Sequence, residues 1–330
     1  LQNANADATP SLAGSGAISQ VDRFRKRRLD KELYDFMRVP ITDQETIAKI
    51  EAAWAAPGES RVLSAPAGAG GSDLVVFGKH TNRLSTHGHP LNRDGGWLFD
   101  EVINVYMYLL KQRDNMLCQI DSTRKPSHFF SSYFFEKLLE PDGRSCYDYK
   151  EVKRWLGTGE NRKNIFEFDM VFSPINISNA HWTLLVICIT KKKFIYLDSM
   201  GGSGTRYIRG GQQYVRDNAK ALGMDGWATI VDDWEVVYGS SKTPQQANAT
   251  DCGVFVCVTT DYFAQHLEPL FSALDIPHFR QRITLELLQL KLLSMSESQG
   301  EGESGSSGEG EGEGESGGGL DEGEGEGEDE

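Results

Sequence analysis

"HWTLLVICITKKKFIYLD", residues 181–198, is the stretch on which the fold turns. From His181 to Ile189 the chain is nearly all apolar, the pattern of a strand covered on both faces. "TKKK" then has the length and polarity of a tight hairpin loop, and "FIYLD" reads as a returning strand. An antiparallel hairpin brings its open ends together. His181 and Asp198, 17 residues apart in sequence, are therefore expected side by side in space. The carboxylate would accept from one imidazole nitrogen, fix the tautomer and aim the other nitrogen outward.

An imidazole aimed in this way suits a nucleophile, and "TPQQANATDCGVFVC", residues 243–257, offers one. A polar loop switches at Cys252 into an apolar run that reads as a buried helix. At the N-terminal end of a helix the macrodipole and free N–H groups favour a thiolate. The alternative is a small buried hydrophobe, the commoner role of a free cysteine. Gly253, lacking a side chain, would let a substrate carbonyl approach the backbone. Gln246, six residues before Cys252, could present its amide to a developing oxyanion beside the Cys252 N–H. Gln245 is an adjacent competitor, and spacing does not separate the two.

Outward from these elements, "ITDQETIAKIEAAWAA" (41–56) has the 3.6-residue period, with Thr42 or Asp43 as N-cap. "LVVFG" (74–78) reads as a short strand after a flexible "APAGAGGSD" loop. A long helix is expected in "GGWLFDEVINVYMYLLKQR", with Asp100 and Glu101 in its first turn. Further helices are expected over 127–139, 149–156, "YVRDNAKALG" and 279–293, and further strands at "WATIV" and "WEVVY". The glycine-rich "GGSGTRYIRGGQQY" has no assignable element.

Charge and cysteine usage narrow the class. The net charge of −14 is concentrated in residues 296–330, which hold 14 acidic residues and no Lys or Arg. Taking these from the chain's 48 leaves 34 acids against 34 bases, so the body is near neutral and suggests no nucleic-acid surface. The tail is too polar to offset its ordering entropy and is read as disordered. Five cysteines without CxxC pairs suggest neither a disulfide framework nor a zinc ribbon, and a reducing compartment fits best. His87 and His89 form an HxH pair without a completing ligand set, so no metal is expected. No apolar run is long enough to span a membrane. "LQNANADATP" has neither Met nor signal-peptide features and reads as a piece of something longer. Five basic residues between Arg23 and Arg28 read either as a solvated helix start or as a nuclear-import address. The expected organisation is a disordered 1–38, one catalytic domain over 39–295 and the acidic tail over 296–330.

Four blocks taken together resemble the SUMO-specific, or ubiquitin-like-protein-specific, cysteine proteases of the adenain-like group. They are "WLFDEVINVYMYLL" (97–110), "HFFSSYFFEKL" (128–138), "VFSPINISNAHWTLLVICITKKKFIYLDSMGG" (171–202) and "PQQANATDCGVFVC" (244–257). The combination of HW, DSMGG and Q-x5-C in that order is specific, and the resemblance covers about residues 39–295. It implies an α+β, papain-like fold with a central mixed sheet flanked by helices and a nucleophile at the N-terminus of a buried helix. By motif position it makes Cys252 the nucleophile, His181 the general base, Asp198 the orienting carboxylate and Gln246 the oxyanion donor. It also implies that Trp97 and Trp182 cover the substrate's C-terminal Gly-Gly in a narrow tunnel, since only glycines thread between two indoles. Asp100 would contact the modifier's globular surface. Phe99 stands where the family usually has Asn, which bears on the choice of modifier.

The implied reaction is hydrolysis after Gly-Gly of SUMO or a related modifier, in conjugates or precursors, by a monomer without cofactor. A protease for another ubiquitin-like modifier is the nearest alternative. An acetyltransferase with the same triad would need no Gly-Gly tunnel. A catalytically dead binding module would not need an intact Cys, His, Asp and Gln set.

Overall fold

The structure is a computed structural model describing residues 20–66, 74–85, 96–140, 146–158, 163–239 and 243–295. The chain divides into two compact units, Leu1–Leu293 and Ser294–Glu330. Residues 296–330, with the acidic tail, lie outside the described residues, as do residues 1–19, His87, His89 and most of the 65–73 loop.

The first unit opens with α1 (Gln20–Met37) and α2 (Gln44–Trp54), followed by the antiparallel pair β1 (Arg61–Ala65) and β2 (Leu74–Phe77) and the one-turn α3 (Gly78–Thr81). Next come α4 (Asp100–Ile120), β3 (His128–Phe129), α5 (Tyr133–Leu139) and α6 (Tyr149–Val152). Then follow β4 (Met170–Ile177), β5 (His181–Cys188), β6 (Lys193–Leu197), α7 (Thr205–Ala221), α8 (Asp225–Ile230) and β7 (Glu235–Tyr238). The unit closes with α9 (Cys252–Ala264) and α10 (Ile276–Gln289). The main sheet runs β3-β4-β5-β6-β7, antiparallel at its centre and parallel at its two outer pairings. This is the mixed sheet flanked by helices that the sequence implied.

β5 explains its own composition. Trp182, Leu184, Val186 and Cys188 enter one core, while Leu185, Ile187 and Ile189 enter the other. A strand buried on both faces must be apolar at every position, so period-2 alternation disappears. The first core is closed by α4, α9 and α10, the second by α5, α7 and α8. α9 is buried on nearly every side, which is why it reads as continuously apolar. Behind it, Arg113 pairs with Asp261 at 2.5 Å, Arg282 with Glu286 at 3.1 Å, and the Tyr106 hydroxyl donates to Glu286 at 3.1 Å. This network joins α4, α9 and α10, and burial pushes the Glu286 carboxyl up.

Four expectations change. The span 1–38 is not uniformly disordered: α1 occupies its second half, with Met37 only 1% exposed in the core and the Tyr34 ring 5.7 Å from that of Tyr262. The anchoring partners, Tyr262, Glu268 and His278, are more than 220 residues away, so nothing local announces them. Within 127–139, His128–Phe129 pairs in parallel with β4 and the helix begins only at Tyr133. "WATIV" lies in α8 and the 3-10 turn after it rather than in a strand, its helix starting at Asp225. The helix over 149–156 shrinks to the single turn of α6, capped by Asp148.

Candidate active site

The hairpin register pairs Leu184 with Leu197 and Cys188 with Lys193, leaving His181 and Asp198 at the open end. His181 Nε2 lies 2.8 Å from Asp198 Oδ1. Burial alone would push the Asp198 carboxyl up. The bond to His181 and the N–H groups of Met200 and Gly202 outweigh it, and the net shift is downward. The carboxylate sits so tightly against Gly202 that a Cβ there would lie 2.4 Å from Oδ2. That contact gives the second glycine of "DSMGG" a physical reason. The Asp198 bond, followed by a bond to Cys252, raises the His181 imidazole to about 9 despite partial burial. With Nε2 occupied, Nδ1 is the nitrogen left for the thiol.

Cys252 is the first residue of α9, and its residue surface is 1% exposed. Cys188 and Cys257 are also buried, and burial pushes the Cys188 thiol up to about 12 and that of Cys257 higher still. Those thiols stay protonated, whereas Cys252 meets an imidazole. The preceding loop is held by Asn248, whose Oδ1 accepts from Thr250 N at 3.0 Å and Asp251 N at 3.1 Å. Gln246 lies within that framework: its Oε1 accepts from Ser199 Oγ at 2.6 Å, its Nε2 donates to the Asn248 carbonyl, and its backbone N–H binds Ser199 O at 3.0 Å. Gln245 turns its amide toward the carbonyls of Asp198 and Thr243. The side-chain contacts of Gln246 are thus with Ser199 and Asn248 rather than with Cys252, and its Nε2 carries a second N–H.

A cleft of about 390 Å³ opens beside this cluster, lined among others by His181, Trp97, Trp182, Asp100, Phe99 and Asn176. Trp97 is 45% exposed, its indole N–H donating at 2.6 Å to the carbonyl of Ala249 in the loop before Cys252. Trp182 is both wall and core: it is 3% exposed, and its N–H donates to the Leu98 carbonyl at 2.9 Å. Gly253 has a packing role that its sequence did not suggest. A Cβ there would lie 2.9 Å from Leu98 Cβ, so the glycine lets α9 pack against the segment carrying Trp97. The Asp100 carboxyl, pushed up by burial and by Glu101, is bonded to Asn176 and Tyr133. Phe99 is 39% exposed, with the Arg83 guanidinium 5.9 Å from its ring centroid. Asn176, Tyr133 and Ser199 were not legible as site residues, because each acts through a contact with a distant segment. Among the described residues, no group of three or more His, Cys, Asp or Glu stands ready for a metal, and no helix is long and apolar enough to cross a membrane.

A papain-like sheet with a Cys–His–Asp cluster beside a tryptophan-walled cleft defines a class of thiol hydrolase. The chain belongs to the Ulp1 protease family: the family's C-terminal catalytic domain matches residues 96–291. It is 34% identical over 226 residues to the putative ubiquitin-like-specific protease 1B of Arabidopsis thaliana, covering 66% of this chain and 62% of that protein. It is 32% identical over 230 residues to sentrin-specific protease 2 of Homo sapiens, covering 70% of this chain and 36% of that protein. The chain therefore spans less than two thirds of these relatives' length. The fold matches that of the yeast Ulp1 protease domain solved in complex with Smt3, the yeast ortholog of SUMO. The TM-score is 0.57 at 24% identity, covering 77% of this chain and 99% of that one. The Chaetomium thermophilum Ulp1-like SUMO protease catalytic domain gives a TM-score of 0.59 at 22% identity, covering 77% and 91%.

Proposed function

We propose that this chain is a cysteine protease that cleaves after the C-terminal Gly-Gly of SUMO, releasing it from target lysines or from its precursor. The observation that carries the reading is the 2.8 Å His181–Asp198 bond at the edge of a cleft lined by Trp97 and Trp182, with Cys252 interacting with the same imidazole. The Cys252 thiolate attacks the scissile carbonyl, and the oxyanion is met by the Cys252 N–H and the second N–H of Gln246. The His181 imidazolium gives its proton to the departing amine as the C–N bond breaks, leaving a thioester. Water, deprotonated by His181, then attacks that thioester, and the C–S bond breaks to free the modifier and the thiolate. Asp198 holds the imidazole in place throughout. None of these steps calls for a metal or organic cofactor.

A cleft lined by both Trp97 and Trp182 suits a substrate end without side chains, which favours this reading over acetyl transfer. Asp100 and the acidic first turn of α4 would face a basic patch of the modifier. Phe99 adds an aromatic surface beside them and is the position at which modifier choice is set. The basic run Arg23–Arg28 on α1 supports action in the nucleus. Fluorogenic SUMO, ubiquitin and other Gly-Gly modifiers assayed side by side test the proposal. SUMO should exceed ubiquitin in kcat/KM by at least about 10²-fold, the scale on which a misfit in an apolar pocket discriminates. Equal rates, or a preference for ubiquitin, would count against it.

A further inference from the structure

Arg280 of α10 takes no part in the chemistry above, yet it ties the segment that leads into Trp97 to the loop that leads into Cys252. Its side chain is fully buried, at 0% exposure. Nε and one terminal nitrogen donate to Asp251 Oδ1 at 3.2 and 2.6 Å. Both terminal nitrogens reach the Gly96 carbonyl at 3.2 Å, and one donates to the Arg83 carbonyl at 2.7 Å. Asp251 directly precedes Cys252, and Gly96 directly precedes Trp97. The Trp97 indole closes the ring by donating to Ala249. A planar fork with five fixed donors holds two backbone segments at a set separation, as an ammonium on a flexible stem does not.

We propose that Arg280 is a positioning residue that sets the register between the tryptophan wall and the nucleophile. The proposal rests on Cys252 as nucleophile. An error in register displaces the scissile carbonyl from the nucleophile once substrate is bound, so it is expected chiefly in kcat. Displacement of the reacting atoms by about 1 Å can cost on the order of 10²-fold.

Arg280→Lys keeps the buried charge opposite Asp251 and loses the fork. Its kcat on a fluorogenic modifier should fall about tenfold or more per folded molecule, with KM within about threefold. Alkylation of Cys252 by iodoacetamide needs the thiol–imidazole pair and not the register, and should stay within about twofold of wild type. Wild-type kcat, or alkylation falling by the same factor as kcat, would overturn the proposal. Asp251→Asn keeps Oδ1, which takes both Arg280 bonds, and gives up only the bond that Oδ2 accepts from Asn248 at 2.8 Å, so its kcat should stay within about threefold of wild type. A loss of about tenfold would show that the charge of Asp251 and not the fork sets the register, and would overturn the proposal. Cys252→Ala is run alongside. Activity surviving there defeats the site reading, whereas its loss combined with full kcat in Arg280→Lys defeats this proposal alone.

Discussion

His181→Ala lowers kcat for isopeptide cleavage by about 10⁴-fold or more, the scale set by removing the general acid–base from a nucleophile that depends on it. The expectation follows from position: His181 is bonded to Asp198 through Nε2 and also interacts with Cys252, so it links the carboxylate to the thiol. The wild-type pH profile carries the same information. Because the His181 imidazole is raised to about 9, its charged form persists through neutral pH and is lost only above that value. Amide cleavage needs that proton for the leaving amine, so kcat/KM should fall on the alkaline side near pH 9. Iodoacetamide alkylation of Cys252 needs no proton donor and should not fall over the same range. Since a thiolate population only rises with pH, parallel alkaline losses in both measurements would mean that the site itself comes apart, and would contradict the role given to the imidazolium.

Asp198→Asn has the second-largest expected effect, about 10²-fold in kcat. The amide oxygen can still accept from His181 Nε2 and keep the ring aimed, as a Cys-His-Asn arrangement does. What is lost is the negative charge, together with charged acceptors for the N–H groups of Met200 and Gly202. A hydrogen bond to a charged group is worth about 1.5–3 kcal/mol, which at its upper end gives that factor. The sign of the pH effect is defined as well. The bond to the Asp198 carboxylate is the largest cause raising His181, and an amide acceptor without the charge holds the proton less firmly, so the alkaline limb of kcat/KM must move to lower pH. A 10²-fold loss with an unmoved limb would indicate that Asp198 acts by geometry alone.

The parts of the molecule legible in its sequence are those built from local pattern. The hairpin from His181 to Asp198 needs only two apolar runs and a polar turn, and it delivers the imidazole to the carboxylate without help from the rest of the chain. α2 carries its own start signal, Asp43 accepting from Thr46 N at 2.7 Å. β4 was less visible: Pro174 sits inside it, where a central strand normally lacks proline. The proline is tolerated because β3 pairs only with Val171 and Phe172, and among the described residues no other strand pairs with that edge of β4. β3 itself is a parallel pairing of two residues, which no periodicity reveals. "WATIV" misled because β-branched and aromatic residues suit a strand locally, whereas here Ala228 and Val231 pack inward from a helical turn beside α7.

The site shows the same division. Cys252, His181 and Asp198 are chemistry-bearing side chains at element ends, and sequence spacing finds them. The Gly253 contact with Leu98, the Asp100 bonds to Asn176 and Tyr133, and the Arg280 fork depend on segments far apart along the chain. Their partners appear only once the sheet and α9 are assembled. Gln246 and Gln245 are adjacent in sequence, and what separates them is where each amide points, toward Ser199 and Asn248 or toward Asp198.

The most direct test of the account is covalent capture. SUMO carrying a C-terminal electrophile in place of its terminal glycine carboxylate is incubated with the protein, and the adduct is mapped by peptide mass spectrometry. One modifier should be attached per chain, on the sulfur of Cys252, with no adduct in Cys252→Ala. An adduct that persists in Cys252→Ala, or that maps to Cys118 or Cys146, would contradict the assignment of the nucleophile and the mechanism built on it.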